Sequence, residues 1–285
     1  MRGFRRSDRR AVLALIAADR LPGQPRPTAT ALVSALGARG PDGRPQARAL
    51  QPPVTEILLD ARRHITGVIS YALRPYDGAG VVLWAHAAED PSTMAVLMGW
   101  ARVRLGPDRP WYAFPGIPAT STTEGLALSR RPATTHALRT TGFTAIAERQ
   151  YWNRDLRRNP PAGPLPPPLA TTAPQHGPRG LLLRLTRTDG TPAAEARIDT
   201  PDRGTAHLHR LVVAEADRSR GLGRHLLDQC LFHAARTGAP RLTATTDATD
   251  PHDPAVRLLS HAGFTPVDTL AVYHRPGRPA GPHNP

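Results

Sequence analysis

The chain of 285 residues contains no lysine and a single cysteine, Cys230. A lone cysteine forms no internal disulfide and cannot build a multi-cysteine zinc site. Without lysine there is no Gly-Lys-Ser/Thr phosphate loop of the nucleotide-hydrolase kind. Aromatic residues are 5% of the chain, so the core must be mostly aliphatic. No apolar run approaches the roughly 20 residues that a membrane-spanning helix needs. The segment Met1-Arg2-Gly3-Phe4-Arg5-Arg6 lacks the apolar stretch and cleavage site of a secretion signal. A soluble cytoplasmic protein is expected.

What is abundant is arginine. All 37 basic residues are arginine, against 23 acidic ones, for a formal net charge of +14. Residues 1–160 carry 23 Arg and 12 Asp/Glu, whereas residues 161–285 carry 14 and 11. The excess therefore sits in the first half. Rich in Ala, Pro and Gly as well, the composition reads as that of a GC-rich genome. The arginines are not interleaved with stacking aromatics, so a nucleic-acid partner is not expected.

The strongest division is Asn159-Pro160-Pro161-Ala162-Gly163-Pro164-Leu165-Pro166-Pro167-Pro168. Proline fixes φ and removes the backbone donor, so neither a helix nor an inner strand runs through it. Residues 1–158 are expected to form one domain, 159–178 a linker, 179–275 a second domain and 276–285 a disordered tail. In the first, a helix capped by Ser7 precedes a second over Thr28–Leu36. Strands Glu56–Asp60, Ile65–Leu73 and Val81–Ala85 follow, then a helix over Ser92–Val103. A helix over Thr134–Thr141 and a strand over Ala145–Trp152 close that half. In the second, Leu181–Thr186 and Ala193–Asp199 flank the Asp189-Gly190 turn signal of a hairpin. Strand His207–Val213, helix Gly223–Arg236, strand Arg241–Thr245, helix Ala255–His261 and strand Thr269–His274 complete it.

The halves read as diverged copies. Thr135-His136-Ala137-Leu138-Arg139-Thr140-Thr141-Gly142-Phe143 is echoed by Val256-Arg257-Leu258-Leu259-Ser260-His261-Ala262-Gly263-Phe264.

The chemistry concentrates between Leu211 and Arg224. A β-branched strand passes through Arg218-Ser219-Arg220-Gly221-Leu222-Gly223-Arg224 into an amphipathic helix. A helix start leaves amides unpaired at the positive end of the dipole, which makes an anion site. Gly221 and Gly223 are read as positions of unusual φ that let a phosphate approach the backbone. A dinucleotide fingerprint fails, because Leu226 stands where its last glycine belongs.

This loop resembles the Arg/Gln-x-x-Gly-x-Gly/Ala signature of the GNAT superfamily of N-acetyltransferases, with Arg218, Gly221 and Gly223 at the defining positions. Leu211-Val212-Val213 fits the strand before that loop, and Ala255-Val256-Arg257-Leu258 with Ala262-Gly263-Phe264 fits the family's late A-x-x-L…GF signature. The resemblance covers residues 180 to 275. It implies an α/β (α+β) fold of two tandem GNAT-like domains, each a mixed, mostly antiparallel sheet flanked by helices. It implies acetyl-coenzyme A as cofactor and an amine of a small molecule or protein as acceptor. Leu211, Val212 and Val213 would pair with the pantetheine arm, and Arg218, Ser219, Arg220, Gly221, Leu222, Gly223 and Arg224 would cradle the pyrophosphate.

Proton handling departs from the family. His207 stands where some relatives carry a basic glutamate, and His209 is expected on the same face. Leu259 stands where a tyrosine acid is frequent, leaving Ser260, Tyr273 or water for that role. Asp247, Asp250, His252 and Asp253 sit among prolines and are read as a connecting loop rather than a metal site. Cys230, on the core face of its helix, is read as packing. In the first half Ala88-Glu89-Asp90-Pro91-Ser92 replaces the glycine loop, and its carboxylates would repel a pyrophosphate. A degenerate first domain and an acetyltransferase second domain are the expectation. The alternative is a non-catalytic acyl-coenzyme A sensor or interaction module.

Overall fold

The strands and helices alternate as hydrophobic periodicity demands, and they gather into two compact units. The structure, a computed structural model, describes residues 1–24, 26–37, 50–115, 125–161, 165, 167–175, 180–199, 204–247 and 250–278. Unit 1 draws on residues 1–21, 26–148 and 269–285, and unit 2 on residues 22–25 and 149–268. Among the described residues, no helix is long and apolar enough to cross a membrane.

Unit 1 begins with β1 (Arg2–Gly3), a 3-10 turn at Arg6–Asp8, α1 (Arg9–Ala18) and α2 (Ala29–Leu36). The expected cap Ser7 lies inside the turn. Asp8 holds this corner instead, accepting bonds from the Arg2 guanidinium and, at 2.7 Å, from the Arg5 amide. Thr28 caps α2, its hydroxyl accepting from the Ala31 amide at 3.1 Å. Next come β2 (Val54–Leu59), β3 (Ile65–Arg74), β4 (Ala79–His86), α3 (Pro91–Leu105), β5 (Trp111–Ala113), β6 (Leu126–Ala127) and α4 (Pro132–Thr140). Strands β1 to β4 pair antiparallel in sequence order, and β5 lies parallel to β4 with Gly80 opposite Trp111. Helices cover both faces. Val12, Ile16 and Leu32 pack with Ile57, Val68 and Val81. On the other face Met94, Leu97, Met98 and Leu138 pack with Ile69, Tyr71 and Val82.

Two strands carry the chain between the units. The strand β7 (Thr144–Asp155) starts in unit 1, and its residues from 149 onward belong to unit 2. The last strand, numbered β13 (Thr265–Arg275) in chain order, starts in unit 2 and belongs to unit 1 from Thr269. There Tyr273 sits opposite Ala113 of β5. The compact units are therefore not contiguous stretches, and the boundary expected at residue 158 falls inside unit 2.

Unit 2 adds β8 (Thr171–Gln175), β9 (Gly180–Thr186), β10 (Pro192–Asp199), β11 (Ala206–Val213), α5 (Leu222–Arg236), β12 (Arg241–Thr246) and α6 (Pro254–His261). Its sheet order is β7-β12-β11-β10-β9-β8, antiparallel except for the β11–β12 pair. The expected linker is thus partly sheet, with Thr171 opposite Arg184 on β9. The rest of 159–178 and of the tail 276–285 falls in part outside the described residues. Leu226, Leu227, Cys230, Val256 and Leu259 pack with Leu183, Ile198, Leu208 and Leu242, so α5 and α6 share one face of the sheet.

The repeat is real at the level of hydrogen bonds. Both α4 and α6 begin at proline, and each ends at a glycine with positive φ, Gly142 at 87° and Gly263 at 76°. After each, a buried phenylalanine amide bonds back to a leucine carbonyl at 3.0 Å, Phe143 to Leu138 and Phe264 to Leu259. This is the same helix stop built twice.

Candidate functional site in unit 2

A bulge opens the sheet. Arg197 of β10 faces Arg210 of β11, but the next residue, Ile198, faces Leu208, so His209 is an extra residue on β11. Among the described residues, β12 pairs with β11 only at Ala206, His207 and Leu208. From His209 to Val213 the side of β11 towards β12 has no strand partner. Leu211 and Val213 turn towards the helices, and Val212 is exposed on the opposite face.

That gap leads to the loop before α5. A 3-10 turn at Glu215–Asp217 tucks the Asp217 carboxylate inward, where Arg187 Nε donates to it at 2.8 Å. Arg220 Nη1 lies 3.4 Å from the same carboxylate, so this arginine braces the loop. Ser219 and Gly221 both take left-handed backbone, with φ of 61° and 77°. Gly221 is the N-cap of α5 and offers no side chain, and the first turn of the helix contains no acid. The amides of Leu222, Gly223 and Arg224 lie ahead of any i−4 carbonyl of the helix. A Cβ at Gly221 would meet nothing within 4 Å, so backbone conformation and not space requires glycine there. Gly223 is different. It is helical, and a Cβ there would stand 3.5 Å from Val213 Cγ2, an ordinary contact. The unusual φ expected of both glycines belongs to Gly221 alone. Arg218 is exposed, and Arg224, also exposed, lies 3.4 Å from Asp228. Open amides, the positive helix end and arginines fit a diphosphate.

The two imidazoles lie on the other face of β11. Asp199 and His207 are cross-strand partners, and the rings of His207 and His209 meet edge to face at 4.6 Å. His207 is buried, with Nδ1 2.9 Å from the Thr243 hydroxyl. Burial and the neighbouring His209 push its pKa down to about 3. His209 is half-exposed, with Nε2 2.6 Å from Asp199 Oδ2. Burial alone would raise the Asp199 carboxyl, but the His209 bond and the charges of His209 and Arg197 hold it below its ordinary value. An ionised carboxylate only accepts, so Nε2 of His209 carries the proton and Nδ1 is left as an acceptor.

Asp199 and Thr243 are the participants that sequence reading missed. The register of Asp199 depends on the bulge, which no turn signal marks, and that of Thr243 on the parallel pairing of β11 with β12.

Other expected residues lie elsewhere. Tyr273 is fully buried in the core of unit 1 beside Phe143 and Met98, so it is not part of the site that unit 2 forms by itself. Leu259 is buried among the α5 side chains. Cys230 is buried, and its thiol pKa is raised by desolvation. Asp253 caps α6 through the Ala255 amide at 2.7 Å, and Asp247 pairs with Arg149 at 2.6 Å.

Unit 1 repeats the strand, loop and 15-residue helix with the anion position already filled. Asp90 caps α3, its carboxylate accepting from the Thr93 amide at 2.6 Å. Ala88 and Glu89 take left-handed backbone with φ of 48° and 56°. That bend sends the Glu89 carboxylate to the start of α4, where it accepts from the Ala133 amide at 2.9 Å and Arg131 Nε at 2.5 Å. Beneath it, Asp19 accepts from His86 Nδ1 at 2.7 Å.

Residues 149–264 match the family model described as acetyltransferase (GNAT) family. No curated protein matches the chain. Among solved structures, the chain is similar to a GCN5-related N-acetyltransferase from Sphaerobacter thermophilus, at 16% identity and a TM-score of 0.60 over 97% of this chain and 96% of that one. A tandem GNAT protein from the clavulanic acid biosynthesis pathway aligns over 95% of both chains, at 13% identity and a TM-score of 0.65. A glucosamine N-acetyltransferase region of a fungal multi-domain β-N-acetylglucosaminidase aligns over 96% of this chain and 37% of that one, at 12% identity and a TM-score of 0.60. The matched segment begins where unit 2 begins on β7 and ends at Phe264, just before the last strand. Residues 149–264 thus carry the match to the acetyltransferase (GNAT) family, and the chain as a whole shares its fold with GNAT structures, a tandem GNAT protein among them.

Proposed function

We propose that unit 2 binds acetyl-coenzyme A and that the acetyl group passes to a primary amine. The observation that carries this reading is the parting of β11 from β12 beyond Leu208, which opens towards the uncapped start of α5. When bound, acetyl-coenzyme A supplies an acyl thioester open to attack by an amine. Backbone groups of Leu211, Val212 and Val213 would pair with an extended amide-bearing arm as an added strand does. Amides from Ser219 to Arg224 would donate to a diphosphate, with the Arg218 and Arg224 guanidiniums adding charge. A backbone amide at the parted strand end would hold the acyl oxygen as negative charge develops.

On the opposite face, Nδ1 of His209 takes the proton that the amine must lose. Asp199 fixes the ring and compensates its charge. His207, neutral and buried, supports His209 edge-on and is a poor base, because burial opposes its protonation. Leu259 has no proton to give, and solvent supplies that need.

In unit 1, the Asp90 carboxylate caps the start of α3, where an anion would bind, so coenzyme A is not taken there.

Calorimetry with coenzyme A on the full chain, followed by thiol release with an amine panel, tests the reading. Binding with amine-dependent thiol release is expected. Absence of binding heat would overturn it. The apolar Leu259 favours one other reading, a non-catalytic acyl-coenzyme A sensor, which would bind but release no thiol on adding amines.

A further inference from the structure

Arg197 and Arg210 face one another across β10 and β11, and both are exposed. Like charges directly opposite on paired strands repel, so a sheet carries such a pair at a cost. The neighbouring acids are engaged elsewhere, although the Arg197 charge is felt at Asp199. Along β10, the same face carries Glu195 and Asp199 two residues to either side. Glu195 is bound by Arg184 at 2.6 Å, and Asp199 is bound by His209 at 2.6 Å. Among the described residues, neither Arg197 nor Arg210 makes a side-chain hydrogen bond or an ion pair. Two arginines thus stand opposite one another at exposed positions, next to the bulge. They share their face with the His207–Asp199 pair, one cross-strand step of two residues away, which is about 7 Å along the strand.

We infer that the acceptor amine is a small molecule carrying an anionic group, carboxylate or phosphate, and that Arg197 and Arg210 clamp it while its amine rests at His209. This rests on the transfer reading above and names its substrate class. The chemistry suits the geometry. A guanidinium presents paired N–H donors that match a carboxylate or phosphate edge, and two of them converging on one anion replace repulsion with charge-assisted bonds. The diphosphate would lie at the start of α5, on the helix side, so the acceptor anion and the cofactor diphosphate do not compete for one set of cations.

The test uses ω-amino acids of two to six carbons, each beside its neutral amide, with 2-aminoethyl phosphate as the phosphate arm. Thiol release is measured on the full chain. One or more of the anionic amines is expected to exceed its neutral partner in kcat/KM by about tenfold or more. In Arg197→Gln and Arg210→Gln that ratio should fall towards one, with the loss appearing in KM. A coenzyme A isotherm on each variant checks that it folds. Preference for the phosphate over every carboxylate, with the same arginine dependence, assigns phosphate as the anion. Equal use of acid and amide, or a preference that survives both substitutions, overturns the inference. If no amine releases thiol, calorimetry of the same compounds with the coenzyme A-saturated protein decides separately. Arginine-dependent heat from an anionic amine supports the clamp while the transfer reading fails, and absence of that heat overturns the clamp.

Discussion

Nε2 of His209 lies 2.6 Å from a carboxylate oxygen of Asp199, across strands whose register slips by one residue at that histidine. The slip falls where the pairing of β11 with β12 ends, and it brings His209 back towards Asp199.

Replacing Asp199 with Asn removes the negative charge beside the His209 ring and offers it a donor as readily as an acceptor, while keeping the shape of the side chain. The kcat should fall about tenfold or more, with coenzyme A affinity held. The pH dependence of kcat should also move, which a packing role alone would not produce. Thiol release from pH 6 to 9 measures both.

At the helix start, Gly221→Gln and Gly221→Glu incur the same left-handed backbone strain, about 1–2 kcal/mol. Only the glutamate adds charge at the helix start. Both should weaken coenzyme A, and Glu should weaken it about tenfold more than Gln. Equal affinities in calorimetry would remove the diphosphate from this loop.

Acid should unfold the protein earlier than its carboxylates require. Burial lowers the pKa of His207 to about 3, and it lowers that of His86 as well. In the unfolded chain an imidazole binds a proton near pH 6.5. Below that pH the unfolded state holds more protons, so stability falls with pH down to the native value. For His207 the loss between pH 6.5 and 5 is about 2 kcal/mol. Urea unfolding of wild type and His207→Gln at pH 7.5 and 5 measures it, and the variant should show the smaller drop.

In unit 1, Asp90→Ala should cost about 1 kcal/mol of stability, because the Thr93 amide loses its cap. The non-glycine left-handed bend at Ala88 and Glu89 remains in that variant, so no second coenzyme A site should appear. Denaturation and a titration of binding stoichiometry read the two effects.

Most elements were legible because their patterning is local. The apolar spacing of Leu226, Leu227, Cys230 and Leu231 marks α5 within two residues, and Pro254 with Gly263 brackets α6. Short strands escaped. Trp111–Ala113 and Thr171–Gln175 have too few residues for alternation to show, and long-range pairing alone makes them strands. The anion loop was legible, since glycine at a left-handed cap is a local demand. Its two glycines were not equal, because helical geometry had already absorbed Gly223.

By itself, then, the order of residues determined the helices, the repeat with its Gly-Phe stops, and a loop that ends in a glycine cap with open amides. Each depends on neighbours within about ten positions. The tertiary structure decided which strand completes which unit, which histidine is buried and which is exposed, and that Tyr273 belongs to a core. Those outcomes depend on the pairing of strands distant in sequence. There, one extra residue changes what every side chain beyond it can reach.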